Sequence, residues 1–88
     1  MDFLHTPMYL EKGSLVQLSC DTQCNFMLMD DANFASYQSG SGFRYLGGLV
    51  RRSPATIRAP HSGYWNVVID VGGGSASIRY GLRVLEGA

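Results

Sequence analysis

Along most of this chain apolar and polar residues alternate with a period of two, the repeat of a strand whose successive side chains point to opposite faces. Leu15 to Cys20 puts Val16, Leu18 and Cys20 on one face and Leu15, Gln17 and Ser19 on the other. Cys24 to Asp30 repeats the pattern, with Phe26 and Leu28 opposed to Met27 and Met29. The clearest case is Tyr64 to Val71, where Trp65, Val67, Ile69 and Val71 oppose Tyr64, Asn66, Val68 and Asp70. That alternation predicts one buried face anchored by Trp65 and one exposed face. Phe3 to Leu10 reads as a first strand, with Pro7 favouring a sheet edge or bulge because proline cannot donate to a ladder. Phe43 to Val50, Ala55 to Ala59 and Ala76 to Leu85 complete the set, the first broken by Gly47-Gly48 and the last aligning Ile78, Tyr80, Leu82 and Val84.

Between Met29 and Pro54 this period lapses. Asp31 is suited to cap a short helix over Ala32 to Tyr37, near residues 31–38, with Phe34 and Tyr37 three apart on one face. So short a helix persists only when packed. Ser39-Gly40-Ser41-Gly42 ends it, and the glycines of Gly47-Gly48 and Gly72-Gly73-Gly74 suit positive-φ turns or a bulge. About seven short strands separated by turn residues predict an all-β fold, a compact antiparallel β-sandwich with the jelly roll as one form of it.

Eighty-eight residues make one small domain, residues 1–88, with an expected stability of roughly 4–13 kcal/mol. The charged fraction is 16%, against a usual value near 25%, and seven basic residues balance seven acidic ones. That neutrality removes any global electrostatic case for binding nucleic acid or an anionic membrane. No stretch is long enough to span a bilayer. Met1 to Pro7 lacks the basic and apolar regions of a secretory signal, so a cytoplasmic location is expected. Cys20 and Cys24 lack the spacing of a redox C-x-x-C and the histidines of a zinc site. They read as two reduced thiols, able to face each other, or to form a disulfide, if Asp21 to Gln23 is a hairpin turn.

Neither glycine run ends in the Lys-Ser/Thr of a phosphate loop, and Asp30, Asp31 and Asn33 are too few for a calcium loop. No cofactor or metal is expected. The arginines carry more information. Arg44, Arg51, Arg52 and Arg58 fall in an acid-free stretch from Phe43, interleaved with Phe43 and Tyr45. Guanidinium suits carboxylate or phosphate partners and stacks on aromatic rings. The alternative use of these arginines is to pair with Asp30, Asp31 and Asp70 and hold loops down. Asp70 has Arg79 and Arg83 on the next strand as further candidates.

The landmarks Met29-Asp30-Asp31-x-Asn33-Phe34-x-x-Tyr37-x-x-Gly40, Tyr45-x-Gly47-Gly48, Ser53-Pro54 and Pro60-x-Ser62-Gly63-x-Trp65-x-Val67-Val68-Ile69-Asp70-x-Gly72-Gly73 resemble the family called domain of unknown function 1883. Phe3-Leu4-His5 and Lys12-Gly13 fit the same pattern, and the cysteine pair is not part of it. The resemblance implies a small, β-rich bacterial domain that occurs alone or joined to Toll-type (TIR) domains, without an established activity. Such an architecture implies a non-catalytic sensing, binding or self-association module. The surface expected to serve it is Asp31, Asn33, Tyr37, Arg44, Tyr45, Arg51 and Arg52: arginines as clamps, tyrosines as stacking platforms, Asp31 and Asn33 as orienting groups. Its partner would be a small anion or a protein, with a homo-oligomer left open. The rival readings are a small enzyme using Asp70 or Asp30 with His61, and a weak nucleic-acid binder using Arg44, Arg51 and Arg52.

Overall fold

The computed structural model describes residues 3–21, 23–70 and 79–86. Seven strands and one helix follow in the order β1 (Phe3–Leu10), β2 (Leu15–Cys20), β3 (Cys24–Met29), α1 (Asp31–Ser39), β4 (Leu46–Val50), β5 (Ala55–Arg58), β6 (Gly63–Asp70) and β7 (Tyr80–Leu85). They form two antiparallel sheets, one in the order β1-β6-β3-β4 and one in the order β5-β2-β7. The expected all-β sandwich is therefore present, with Pro7 on the edge strand β1. Val71, the Gly72-Gly73-Gly74 turn and residues 76–78 of the last expected strand lie outside the described residues.

The inward faces meet as the period-two pattern requires. Val16 and Leu18 of β2 pack with Phe26 and Leu28 of β3, Trp65, Val67 and Ile69 of β6, and Ile57 of β5. Trp65 is 5% exposed, and its indole Nε1 donates to the carbonyl of His61 at 3.2 Å. It is the anchor the alternation pointed to.

The opposite face of β6 departs from expectation. Asn66 and Val68 are buried rather than solvent-facing, because α1 lies across that side of the sheet. Tyr37 packs there with Met27, Met29 and Val68, flanked by Phe3, Phe34 and Phe43. The molecule thus has three layers where an alternating strand on its own implies two.

The cap of α1 also differs from expectation. Asp30, with extended backbone, accepts the Asn33 amide N–H at 2.8 Å and is the N-cap. Asp31 is already the first helical residue. At the other end Gly40, at φ 80°, closes a Schellman motif: its N–H donates to Tyr37 O and that of Ser41 donates to Ser36 O. Gly47 has the most demanding backbone. At φ 104°, a Cβ there would lie 2.2 Å from the Phe26 carbonyl oxygen and 2.7 Å from Ile57 Cδ1. Strand β4 runs through Gly47 and Gly48 without a break in its pairing to β3. No helix among the described residues is long and apolar enough to cross a membrane.

Candidate binding surface

The seven candidate residues do not converge on one site. Two of them hold the fold together. Tyr37 is 6% exposed and its hydroxyl donates to Asp70 Oδ2 at 3.0 Å. Burial, and then that hydrogen bond, push its phenol from 10.0 up to about 12. Asp31 accepts the Asn66 side-chain amide at 2.8 Å, while that amide also donates to Met29 O and its oxygen meets His5 Nε2 at 2.8 Å. The Asp31–Asn66–His5 chain fixes the start of α1 to β6 and β1, and the His5 ring stacks on Phe34 at 3.9 Å between centroids.

Three others come together. Asn33, Arg44 and Tyr45 line an open recess of about 150 Å³ with Leu28, Met29, Asp30, Leu46, Pro60 and Trp65. The backbone N–H of Arg44 donates to Asn33 Oδ1 at 2.7 Å, so the helix holds the segment that presents Arg44 and Tyr45. Tyr45 is tilted against Phe43, with 5.5 Å between centroids, and Phe43 meets Tyr37 edge-on at 5.1 Å. An aromatic chain therefore links the exposed tyrosine to the buried one. Trp65 and Pro60 were not legible as part of this recess. They are brought to it by the pairing of β6 with β3, where Asn66 lies opposite Met29, and no local signal marks that register.

Arg51 and Arg52 stand elsewhere. They line a second recess of about 110 Å³ with Cys20, Asp21, Gln23, Val50 and Ser53. The five residues of β4 separate them from Arg44 and Tyr45, about 20–23 Å from Arg51 at the usual rise of a strand. The carboxylates weighed as their partners are engaged otherwise: Asp30 by Asn33, Asp31 by Asn66, and Asp70 by Tyr37. Strand β7 belongs to the other sheet, paired to β2, so Arg83 lies opposite Gln17 rather than beside Asp70.

Of the residues of the enzymatic alternative, Asp30 and His61 both lie beside Trp65 and Asp70 stands apart. Asp30 lines the recess beside Trp65, and the His61 ring lies 4.8 Å from that indole. Asp70 is at the far end of β6, opposite Phe3, about 17 Å along the strand from Trp65. Among the described residues no group of three or more histidines, cysteines or acids is placed to hold a metal ion.

The profile described as "Domain of unknown function (DUF1883)" matches residues 1–86. This chain belongs to the DUF1883 family. Comparison with curated proteins gives no match, and neither does comparison with solved structures. The landmark residues of the sequence have these places in the fold: Asp30 and Asn33 at the cap, Gly40 at the Schellman turn, Gly47 where a side chain would collide, and Trp65 in the core. Every one of these has a structural duty. In this DUF1883 domain the exposed arginines are the candidate residues to which the fold gives no such duty.

Proposed function

We propose that this DUF1883 domain is a recognition module, not an enzyme, and that it captures an extended acidic segment of a protein partner along the outer edge of β4. The observation that carries this reading is the placement of arginines at both ends of an edge strand. Arg44 precedes β4 and Arg51 and Arg52 follow it, all exposed. β4 ends its sheet, so one side of its backbone faces outward among the described residues. Extended peptides add to such edges through main-chain hydrogen bonds, with side-chain pockets supplying specificity.

The span favours a peptide over a metabolite. A linear segment of about seven residues reaches from Arg44 to Arg51, about 23 Å along an extended chain, whereas a compact anion touches one. The recess at Arg44 and Tyr45, about 150 Å³, is smaller than the roughly 300–1,000 Å³ that encloses a whole small ligand. It suits one projecting side chain, seated between Tyr45 and Trp65. Leu46 and Leu49, 37% and 49% exposed, provide apolar contact between the clusters.

The test is fluorescence anisotropy with labelled extended heptapeptides, acidic and basic, combined with amide hydrogen exchange. Acidic peptides should bind more tightly and lose affinity as salt rises. The amides of Leu46 to Val50 should gain protection. Replacing Arg44, Arg51 and Arg52 together by alanine should weaken binding by about tenfold or more, or about 1.4 kcal/mol. The reading fails if basic peptides bind as well as acidic ones, or if the β4 amides stay unprotected. A small anion whose binding depends on Arg44 but not on Arg51 and Arg52 would replace it with a metabolite site.

A further inference from the structure

The two cysteines meet at the opposite end of β4 from the Tyr45 recess. Cys20 ends β2 in one sheet and Cys24 begins β3 in the other, and their sulfurs are 3.7 Å apart. Cys24 is 2% exposed, while Cys20 is half-buried and lines the recess with Arg51, Arg52, Asp21, Gln23, Val50 and Ser53. We propose that Cys20 and Cys24 form a reversible dithiol–disulfide site, oxidised by an anionic low-molecular-weight disulfide that enters through the Arg51–Arg52 recess and is attacked first by Cys20.

Geometry assigns the roles. A disulfide bond is about 2.05 Å long, so the sulfurs, 3.7 Å apart, have to close by about 1.7 Å, within reach of side-chain rotation. Cys20 opens onto the recess and is the entry thiol. Cys24 is enclosed, and burial, followed by its hydrogen bond to Cys20, pushes its thiol from 9.0 up to about 11. That leaves it less thiolate at neutral pH than an ordinary thiol, which with its burial suits a resolving group rather than a first nucleophile. The guanidinium groups of Arg51 and Arg52 outnumber the Asp21 carboxylate around the recess and favour an oxidant bearing carboxylates.

The exchange balances without another reagent. The Cys20 thiolate attacks one sulfur of the incoming disulfide, whose S–S bond breaks, and the first small thiolate leaves and takes up a proton. Cys24 then gives up its proton and attacks the Cys20 sulfur, forming the Cys20–Cys24 bond and expelling the second small thiol. Two electrons pass from the cysteine pair to the small disulfide, which becomes two thiols. The new bond ties one sheet to the other. It does so beneath the arginine segment, because the Cys20 backbone N–H already donates to Ser53 Oγ at 3.1 Å. In a reducing compartment such a pair rests as thiols and reports a change in redox poise, the usual role of disulfides there.

The experiment incubates the full chain with glutathione disulfide, traps free thiols by alkylation at intervals, and reads intact mass and peptide maps. The parent should pass to a species lighter by two hydrogens with no alkylatable thiol. Cys24→Ser and Cys24→Ala should stop at a glutathione adduct on Cys20, and Cys20→Ser should leave Cys24 slower to react by about tenfold or more. Arg51→Ala with Arg52→Ala should slow the first step for glutathione disulfide but not for the uncharged hydroxyethyl disulfide. Circular dichroism checks that each variant is folded. The proposal is overturned if the parent accumulates a glutathione adduct without closing, if Cys24 reacts as fast as Cys20, or if charge on the oxidant makes no difference.

Discussion

Replacing Gly47 by alanine tests how the arginine-bearing edge strand is held against the sandwich. The added Cβ would stand 2.2 Å from the Phe26 carbonyl oxygen and 2.7 Å from Ile57 Cδ1, on a backbone at φ 104°. Isoleucine can rotate, but the Phe26 carbonyl belongs to β3, which is paired on both sides by β4 and β6. Relief therefore has to come from β4 moving away by about 1 Å. Leaving the glycine-favoured region costs about 1–2 kcal/mol, and overpacking a fixed contact about 1–3 kcal/mol. The sum, about 2–5 kcal/mol, is a large share of a stability of roughly 4–13 kcal/mol. Urea unfolding followed by Trp65 fluorescence is the assay. With a slope of about 1–1.5 kcal/mol/M for so small a domain, the midpoint should fall by more than about 1 M. Gly81→Ala is the control, since its added methyl meets nothing within 4 Å, and it should stay within about 0.5 kcal/mol of the parent. A Gly47→Ala protein as stable as the Gly81→Ala protein, with an unchanged slope, would refute the close approach of β4 to β3 and β5.

Trp65→Ala should cost about 3–5 kcal/mol through the cavity it leaves between the sheets, and calorimetry showing a native-like melt would remove Trp65 from the core. Alkaline pH should also destabilise the fold. Tyr37 and Cys24 have folded-state values raised from 10.0 to about 12 and from 9.0 to about 11. Their contribution is complete below the lower value of each pair and is lost as pH climbs through the upper one. Urea midpoints should thus hold up to about pH 9 and decline toward pH 12. Tyr37→Phe should be about 1 kcal/mol less stable at neutral pH, having lost the bond to Asp70, and should show a shallower decline above pH 10. An equally steep decline in that variant would assign the alkaline loss to other groups.

The separation of Arg44 from Arg51 and Arg52 shows where sequence patterning ends. In the chain they are a single acid-free run, but a strand intervenes and extends, so what reads as one cluster becomes two ends of an edge. Asp30 and Asp31 show the same limit on a smaller scale. Aspartate caps a helix at either position, and only the backbone at Asp30 together with the demand of Asn66 for an acceptor decides which of them does.

Alternation by itself determined the strands β2, β3 and β6 and Trp65 as a core anchor, and with the turn residues the sandwich class, because period two is a local property of extended backbone. It could not determine what covers the far face of a strand. Asn66 and Val68 have the spacing of an exposed face, yet α1 buries them. Nor could it place Cys20 and Cys24 in different sheets with their sulfurs 3.7 Å apart, or bring Trp65 and Pro60 beside Arg44 and Tyr45. Those juxtapositions depend on which strands pair and in what register. Contacts between distant parts of the chain settle that choice, and the local pattern is the same for every partner a strand could take.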